Sequence, residues 1–183
     1  VATAINDLRD ELNASGESVI VLDAGDQYQG SLFFTTYDGA AAGEFMETIG
    51  FDAMALGNHE FNNGPEGILP LLDEVSFPVI SGNLDVSQEP ALAGRVGDTL
   101  ILDVDGVQVG IVSALATDTQ EISSPGENVV FMDEIEAMQE DVDALTAEGV
   151  NASSMYLQLA VSKEGVIAGT FYNESTGATH PVE

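Results

Sequence analysis

The sequence contains no cysteine, which removes disulfides, thiolate metal sites and cysteine nucleophiles together. It is nearly as poor in positive charge: Arg9, Arg95 and Lys163 are the only fixed cations in 183 residues. Three cations cannot neutralise a run of phosphates or hold an anionic bilayer, which excludes nucleic-acid polymers and acidic lipid as direct partners. No apolar run approaches the ~20 residues of a membrane-spanning helix, so membrane insertion is not expected. Val1 to Asn13 read as an amphipathic helix and not as a signal peptide, so the chain shows no targeting segment. Histidine is scarce as well, with only His59 and His180.

What is present is acid. The 32 Asp and Glu residues bring the formal charge to −29 with histidine neutral. A hydrophobic fraction of 44% and a mean hydropathy of +0.12 are too apolar for a disordered acidic tail. A core must therefore lie beneath the charge, and a domain of ~150 residues buries roughly 70% of its extended-chain surface without staples. Repulsion among so many carboxylates weakens as salt shortens the Debye length, to about 3 Å at 1 M, and the near-absence of lysine points to a halophilic setting.

Hydrophobic periodicity gives the order of elements. Ile5, Leu8 and Leu12 mark a helix ended by Asn13 to Gly16, and Val19 to Leu22 form a short apolar run of the kind buried on both faces of a sheet. Ala41, Ala42, Phe45, Met46 and Ile49 give a helix from about Gly39 to Gly50, followed by a second buried run from Phe51 to Leu56. Ile68, Leu69, Leu72 and Val75 give a third helix, with Pro65 in its first turn, leading to a strand from Val79 to Ser81. Strand, helix, strand, helix, strand is the pattern of parallel βαβ units, whose functional loops gather at the carboxyl ends of the strands. After Asn83 the pattern changes to a hairpin, Thr99 to Val104 and Val107 to Ala114 joined by Asp105-Gly106. A last helix follows with Ile135, Met138, Val142 and Leu145 on one stripe, leaving Glu134, Glu136, Glu140, Asp141 and Asp143 largely solvated. Beyond Asn151, runs from Met155 to Val161 and Val166 to Tyr172 read as a second hairpin around Lys163-Glu164-Gly165.

Two polar clusters fall at the strand ends. Asp26 stands in Gly25-Asp26-Gln27-Tyr28-Gln29-Gly30, and Asn58 and His59 stand in Gly57-Asn58-His59-Glu60-Phe61. Glycines let the backbone turn there. A carboxylate and an amide oxygen are hard ligands suited to a divalent cation, and a histidine beside them can act as a general acid or stabilise a phosphoryl group. Taken singly, Asp26 reads equally well as a turn cap and His59 as a hydrogen-bonded structural residue. His180 belongs to no cluster and reads as a surface residue near the chain end.

Gly-Asp-x-x-Gln-Gly some thirty residues before Gly-Asn-His-Glu-Phe, each after a hydrophobic strand, with Phe77-Pro78-Val79-Ile80-Ser81-Gly82-Asn83-Leu84 farther on, resembles the 5'-nucleotidase branch of the calcineurin-like metallophosphoesterases. The resemblance implies an α/β fold, a partial metallophosphoesterase β-sandwich flanked by helices over residues 1–150; residues 151–183 do not look like the family's continuation, and their apolar runs read as a β-hairpin appendage of unknown origin that suits a sheet edge left open. It implies a metal-dependent hydrolase of nucleotides or related phosphate esters, in a periplasmic or extracellular location. Asp26 then matches the carboxylate that bridges two divalent metals, Mn, Zn or similar, and Asn58 an amide ligand of the second. His59 matches the histidine that stabilises the phosphoryl transition state. Asn62 stands where the family usually has an Asp that pairs with this histidine. It can orient an imidazole but supplies no negative charge to favour the protonated form.

The family's Asp-x-His motif is expected upstream of Val1, and its later histidine and Gly-His-x-His motifs, expected soon after Val150, are absent. Two metals need about eight or more ligands, and Asp26 and Asn58 are two. The sequence therefore predicts weak metal binding and poor hydrolysis by this chain, and a non-catalytic binding or structural module on the same scaffold is the competing reading.

Overall fold

The computed structural model describes residues 1–151 throughout and, beyond them, the backbone of three strands, 155–160, 170–173 and 178–181. Helix α1 (Ala2–Ala14) precedes strand β1 (Leu22–Asp23); α2 (Leu32–Tyr37) and α3 (Ala40–Ile49) precede β2 (Ala53–Ala55); α4 (Leu69–Glu74) precedes β3 (Val79–Ile80). Two-residue strands β4 (Leu84–Asp85) and β5 (Val96–Gly97) come next, and then the long pair β6 (Thr99–Val104) and β7 (Val107–Leu115). Helix α5 (Thr119–Ile122), β8 (Val130–Phe131) and α6 (Glu134–Ala147) lead to β9 (Met155–Ala160), β10 (Thr170–Asn173) and β11 (Ala178–Pro181).

Strands β1, β2, β3 and β5 form a parallel sheet in that order, and β6, β7 and β9 form a second sheet. The inner faces of the two meet through Ala55, Ile80, Val109 and Ile111, joined by Leu22, Leu100 and Leu102. Period-two alternation then turns Ile101 and Val112 outward, where they pack with Val142 and Leu145 of α6 and with Val150. On the far side of the first sheet, Met54 and Val79 join Met46 of α3 and Leu71 and Leu72 of α4 in the largest core cluster. Helices, sheet, sheet, helix is the flanked β-sandwich that the sequence implies.

The hairpin at Asp105-Gly106 forms as expected, with Val104 opposite Val107 and positive φ at both turn residues, 53° and 85°. Four expectations change. The run Val19 to Leu22 is only half-buried, because β1 is an edge strand paired on one side only, with β2, among the described residues. The third helix divides into a 3-10 turn, Pro65–Ile68, and α4; Pro70 has no N–H with which to continue the α ladder. On α6, Ile135 is 80% exposed, whereas Met138, Val142 and Leu145 face inward as expected; the packed face also takes in buried Ala137 and half-buried Glu134 and Asp141. Finally, among the described residues Met155–Ala160 pairs with β7 and not with a strand that follows it. It lies parallel to β7, with Gly110 opposite Met155 and Leu115 opposite Ala160, so it occupies an edge of the second sheet as the sequence suits it to do. The antiparallel hairpin lies farther on, between β10 and β11, with His180 opposite Phe171. Lys163-Glu164-Gly165 falls outside the described residues.

One of the three fixed cations has a defined structural task. Helix α3 closes on Gly50 at φ 79°, and Arg9 of α1 donates to the carbonyls of Ile49 and Gly50 at 2.9 Å each. A guanidinium at a helix C-terminus satisfies carbonyls that have no partner within the helix and opposes the negative end of its dipole.

Candidate active site

Parallel strands β1 and β2 end side by side, so the loops that leave them face each other. Their approach is close enough to require glycine on both sides. A β-carbon on Gly25, at φ 87°, would sit 2.8 Å from the Ala55 carbonyl oxygen and overlap Gly57 N, and one on Gly57 would lie 2.5 Å from Asp26 N. Asp26 follows at φ 60°, a left-handed conformation that Asp tolerates better than most residues and that clusters at functional sites. Its Oδ1 accepts from the His59 backbone N–H at 3.1 Å. The two loops are thereby joined at the residues the sequence singles out.

His59 lies in a 3-10 turn, His59–Phe61, with Asn58 as its N-cap residue. Its imidazole Nδ1 is 2.7 Å from Asn62 Nδ2, and Asn62 Oδ1 accepts from Ser123 Oγ at 2.9 Å. With the Asn62 oxygen engaged by Ser123, its amide donates to Nδ1, and the neutral ring then carries its proton on Nε2. The imidazole is thus held by Asn62, and Asn62 in turn by Ser123. Nothing in the sequence around Ser123 signals this role, which depends on the chain after β7 returning to the site; Ser124 N donates to the Phe61 carbonyl at 3.2 Å and fixes that return.

Asn58 is half-buried. Its carbonyl accepts from Phe61 N at 3.2 Å, and among the described residues its side chain and Asp26 Oδ2 make no hydrogen bond. A carboxylate oxygen and an amide are therefore left at this edge as donors for a ligand. Among the described residues no group of three or more His, Cys, Asp or Glu side chains is placed to hold an ion.

Beneath these groups lies Glu60, fully buried. Its Oε2 accepts from the backbone N–H groups of Gly57 at 2.7 Å and Asp26 at 2.8 Å. Its Oε1 accepts from Gln27 at 2.7 Å and Tyr28 at 3.3 Å. Burial pushes the Glu60 carboxyl up, opposed by the donors from Asp26, Gly57 and Gln27. Asp23 is also raised by burial, against bonds from Gly25 N and the Gln27 amide, both at 2.8 Å. Periodicity does not reveal the role of Glu60; its sequence signal is its place in Gly57-Asn58-His59-Glu60-Phe61, directly after a buried strand.

No family model matches the chain. It is 48% identical over 145 residues to a 5'-nucleotidase of Diplobatis ommata, a match that covers 78% of this chain and 25% of that protein. Among solved structures, a 5'-nucleotidase precursor from Thermus thermophilus superposes with a TM-score of 0.77 at 41% identity, over 83% of this chain and 30% of that one. A calcineurin-like phosphoesterase from Bacillus subtilis shares the fold, with a TM-score of 0.66 at 18% identity, over 91% of this chain and 56% of that one. The chain spans about a quarter of the length of the curated relatives it matches.

Proposed function

We propose that this chain, which belongs to the 5'-nucleotidase branch of the calcineurin-like metallophosphoesterases, is part of a hydrolase that removes phosphate from nucleotides or related phosphomonoesters. The observation that carries the reading is the joint between the two loops: Asp26 holding the His59 backbone at 3.1 Å while Asn62 holds its ring at 2.7 Å. In this reading His59 is the catalytic residue, and its Nε2–H donates to a phosphoryl oxygen or to the departing group. Asn62 is the residue that fixes the ring. Asp26 and Asn58 contribute two ligands to a divalent-metal centre, Mn, Zn or similar, whose other ligands are not among the described residues. A periplasmic or extracellular location accompanies the assignment.

Hydrolysis of a nucleoside 5'-monophosphate and of p-nitrophenyl phosphate by the full chain, with Mn or Zn in excess, tests it. We expect slow, metal-dependent turnover that falls at least about tenfold in His59→Ala and in Asp26→Asn, without a change in melting temperature; a lost acid–base group such as His59 is ordinarily worth that much or more, and Asp26→Asn takes a charged ligand from the metal. Turnover indifferent to both substitutions would refute the assignment. The two-donor edge favours one other reading, a non-catalytic module that keeps the scaffold, and complete absence of turnover at saturating Mn or Zn would support it.

A further inference from the structure

Glu60 commits a fully buried carboxylate to four backbone amides and to no side chain. Three of the donors are consecutive, Asp26, Gln27 and Tyr28, and the left-handed φ of Asp26 turns them into a concave anion-binding nest. The fourth, Gly57, belongs to the other loop. The carboxylate therefore joins the loop that bears Asp26 to the loop that bears Asn58 and His59. We propose that Glu60 is the positioning residue of the site: by holding the two loops together it sets the Asp26 carboxylate against the His59 backbone. The proposal rests on the reading of this edge as a hydrolase site for its functional meaning, though not for its test.

The geometry excludes a filling role. A buried Leu or Gln would occupy the volume, but leucine accepts from none of the four amides, and glutamine replaces one acceptor oxygen with a nitrogen that is itself a donor. Each buried N–H left without an acceptor is destabilising, and the glycine pair leaves no side-chain bulk to take over the joint. With the anion removed, the nest has nothing to close on and the two loops lose their only shared acceptor of this kind among the described residues.

Amide exchange followed by NMR on the full chain, wild type against Glu60→Gln, tests this. The direct amides, Asp26, Gln27, Tyr28 and Gly57, are expected to exchange about tenfold faster or more in the variant, while Met54 in β2 and Leu56 just after it, bonded to Pro78 and Ile80, stay within about twofold. The deciding probe is the His59 amide, which donates to Asp26 and not to Glu60. Its resonance should shift and its exchange accelerate together with the direct amides. A His59 amide unchanged while the direct amides open would overturn the proposal, leaving Glu60 as a local bond acceptor. Should Glu60→Gln fail to fold, Glu60→Asp keeps the charge, pulls it back by one carbon, and is expected to show the same order of losses at smaller size; no effect on His59 there overturns the proposal equally. The readout involves no turnover, so a wild type without phosphatase activity refutes the hydrolase reading alone.

Discussion

Where α6 meets the sandwich, Asp141 lies so close to the Cα of Gly82 that a β-carbon there would overlap its Oδ2. That oxygen is buried and has no hydrogen-bond donor among the described residues. Burial, reinforced by the charges of Asp98 and Glu140, raises the carboxyl to about 6. The folded state then holds this proton more tightly than the unfolded chain does, so the group's contribution to stability is fully present below the unfolded value near 4 and is lost as pH rises through 6. Replacing Asp141 by Asn removes the penalty at high pH alone. We expect Asp141→Asn to raise the melting temperature at pH 8 by about 2–4 °C, the shift of roughly 1 kcal/mol in a chain of this size, and to leave it unchanged at pH 4. Equal stabilisation at both values would contradict the assignment of the cost to ionisation.

At the level of elements, what the sequence makes legible follows from period and length. The apolar run around Ala53–Ala55, the helix from Ala40 to Ile49 and the hairpin at Asp105-Gly106 each span enough residues to repeat a pattern, and each forms where the pattern puts it. Strands β4, β5 and β8 are two residues long and have no period to read. Helix α2 is set by a cap, with Ser31 Oγ accepting from Phe34 N at 3.2 Å, and not by a hydrophobic stripe. The packed face of α6 is wider than its apolar stripe because two of its acids have local surroundings that hydrophobicity does not encode: Glu134 accepts from Thr117 N at 2.7 Å, and Asp141 fits where only Gly82 leaves room. Asn83 shows the same limit. It is fully buried and bonds both the N–H and the C=O of Leu115, at 2.7 Å each, a contact across 32 residues. In the site, the residue types and their spacing single out Asp26, Asn58 and His59 and the resemblance adds Asn62, whereas the parts played by Glu60 and Ser123 lie in bonds to distant backbone and side chain.

For the whole molecule the governing quantity is the charge of −29. Very little of it is neutralised internally: Arg95 pairs with Asp73 at 2.8 Å, both of them partly or largely exposed, a pair of the kind that contributes little, and Arg9 is committed to the end of α3. The rest of the acid repels itself across the surface, and salt is what relieves it. We expect the melting temperature to climb by more than about 4 °C between low and molar KCl; a flat or falling curve would contradict salt adaptation. The same acidity separates the site from the surface, since among the described residues Asp26 faces the joint with one carboxylate oxygen free of hydrogen bonds.

That oxygen defines the most direct measurement. Titration of the full chain with Mn2+, the free ion followed by electron paramagnetic resonance, reports whether this edge is a metal site supplied with two of its ligands. The expected dissociation constant is about 1 mM or weaker, with the binding abolished in Asp26→Asn. Stoichiometric binding in the micromolar range, or binding that Asp26→Asn leaves intact, would contradict it.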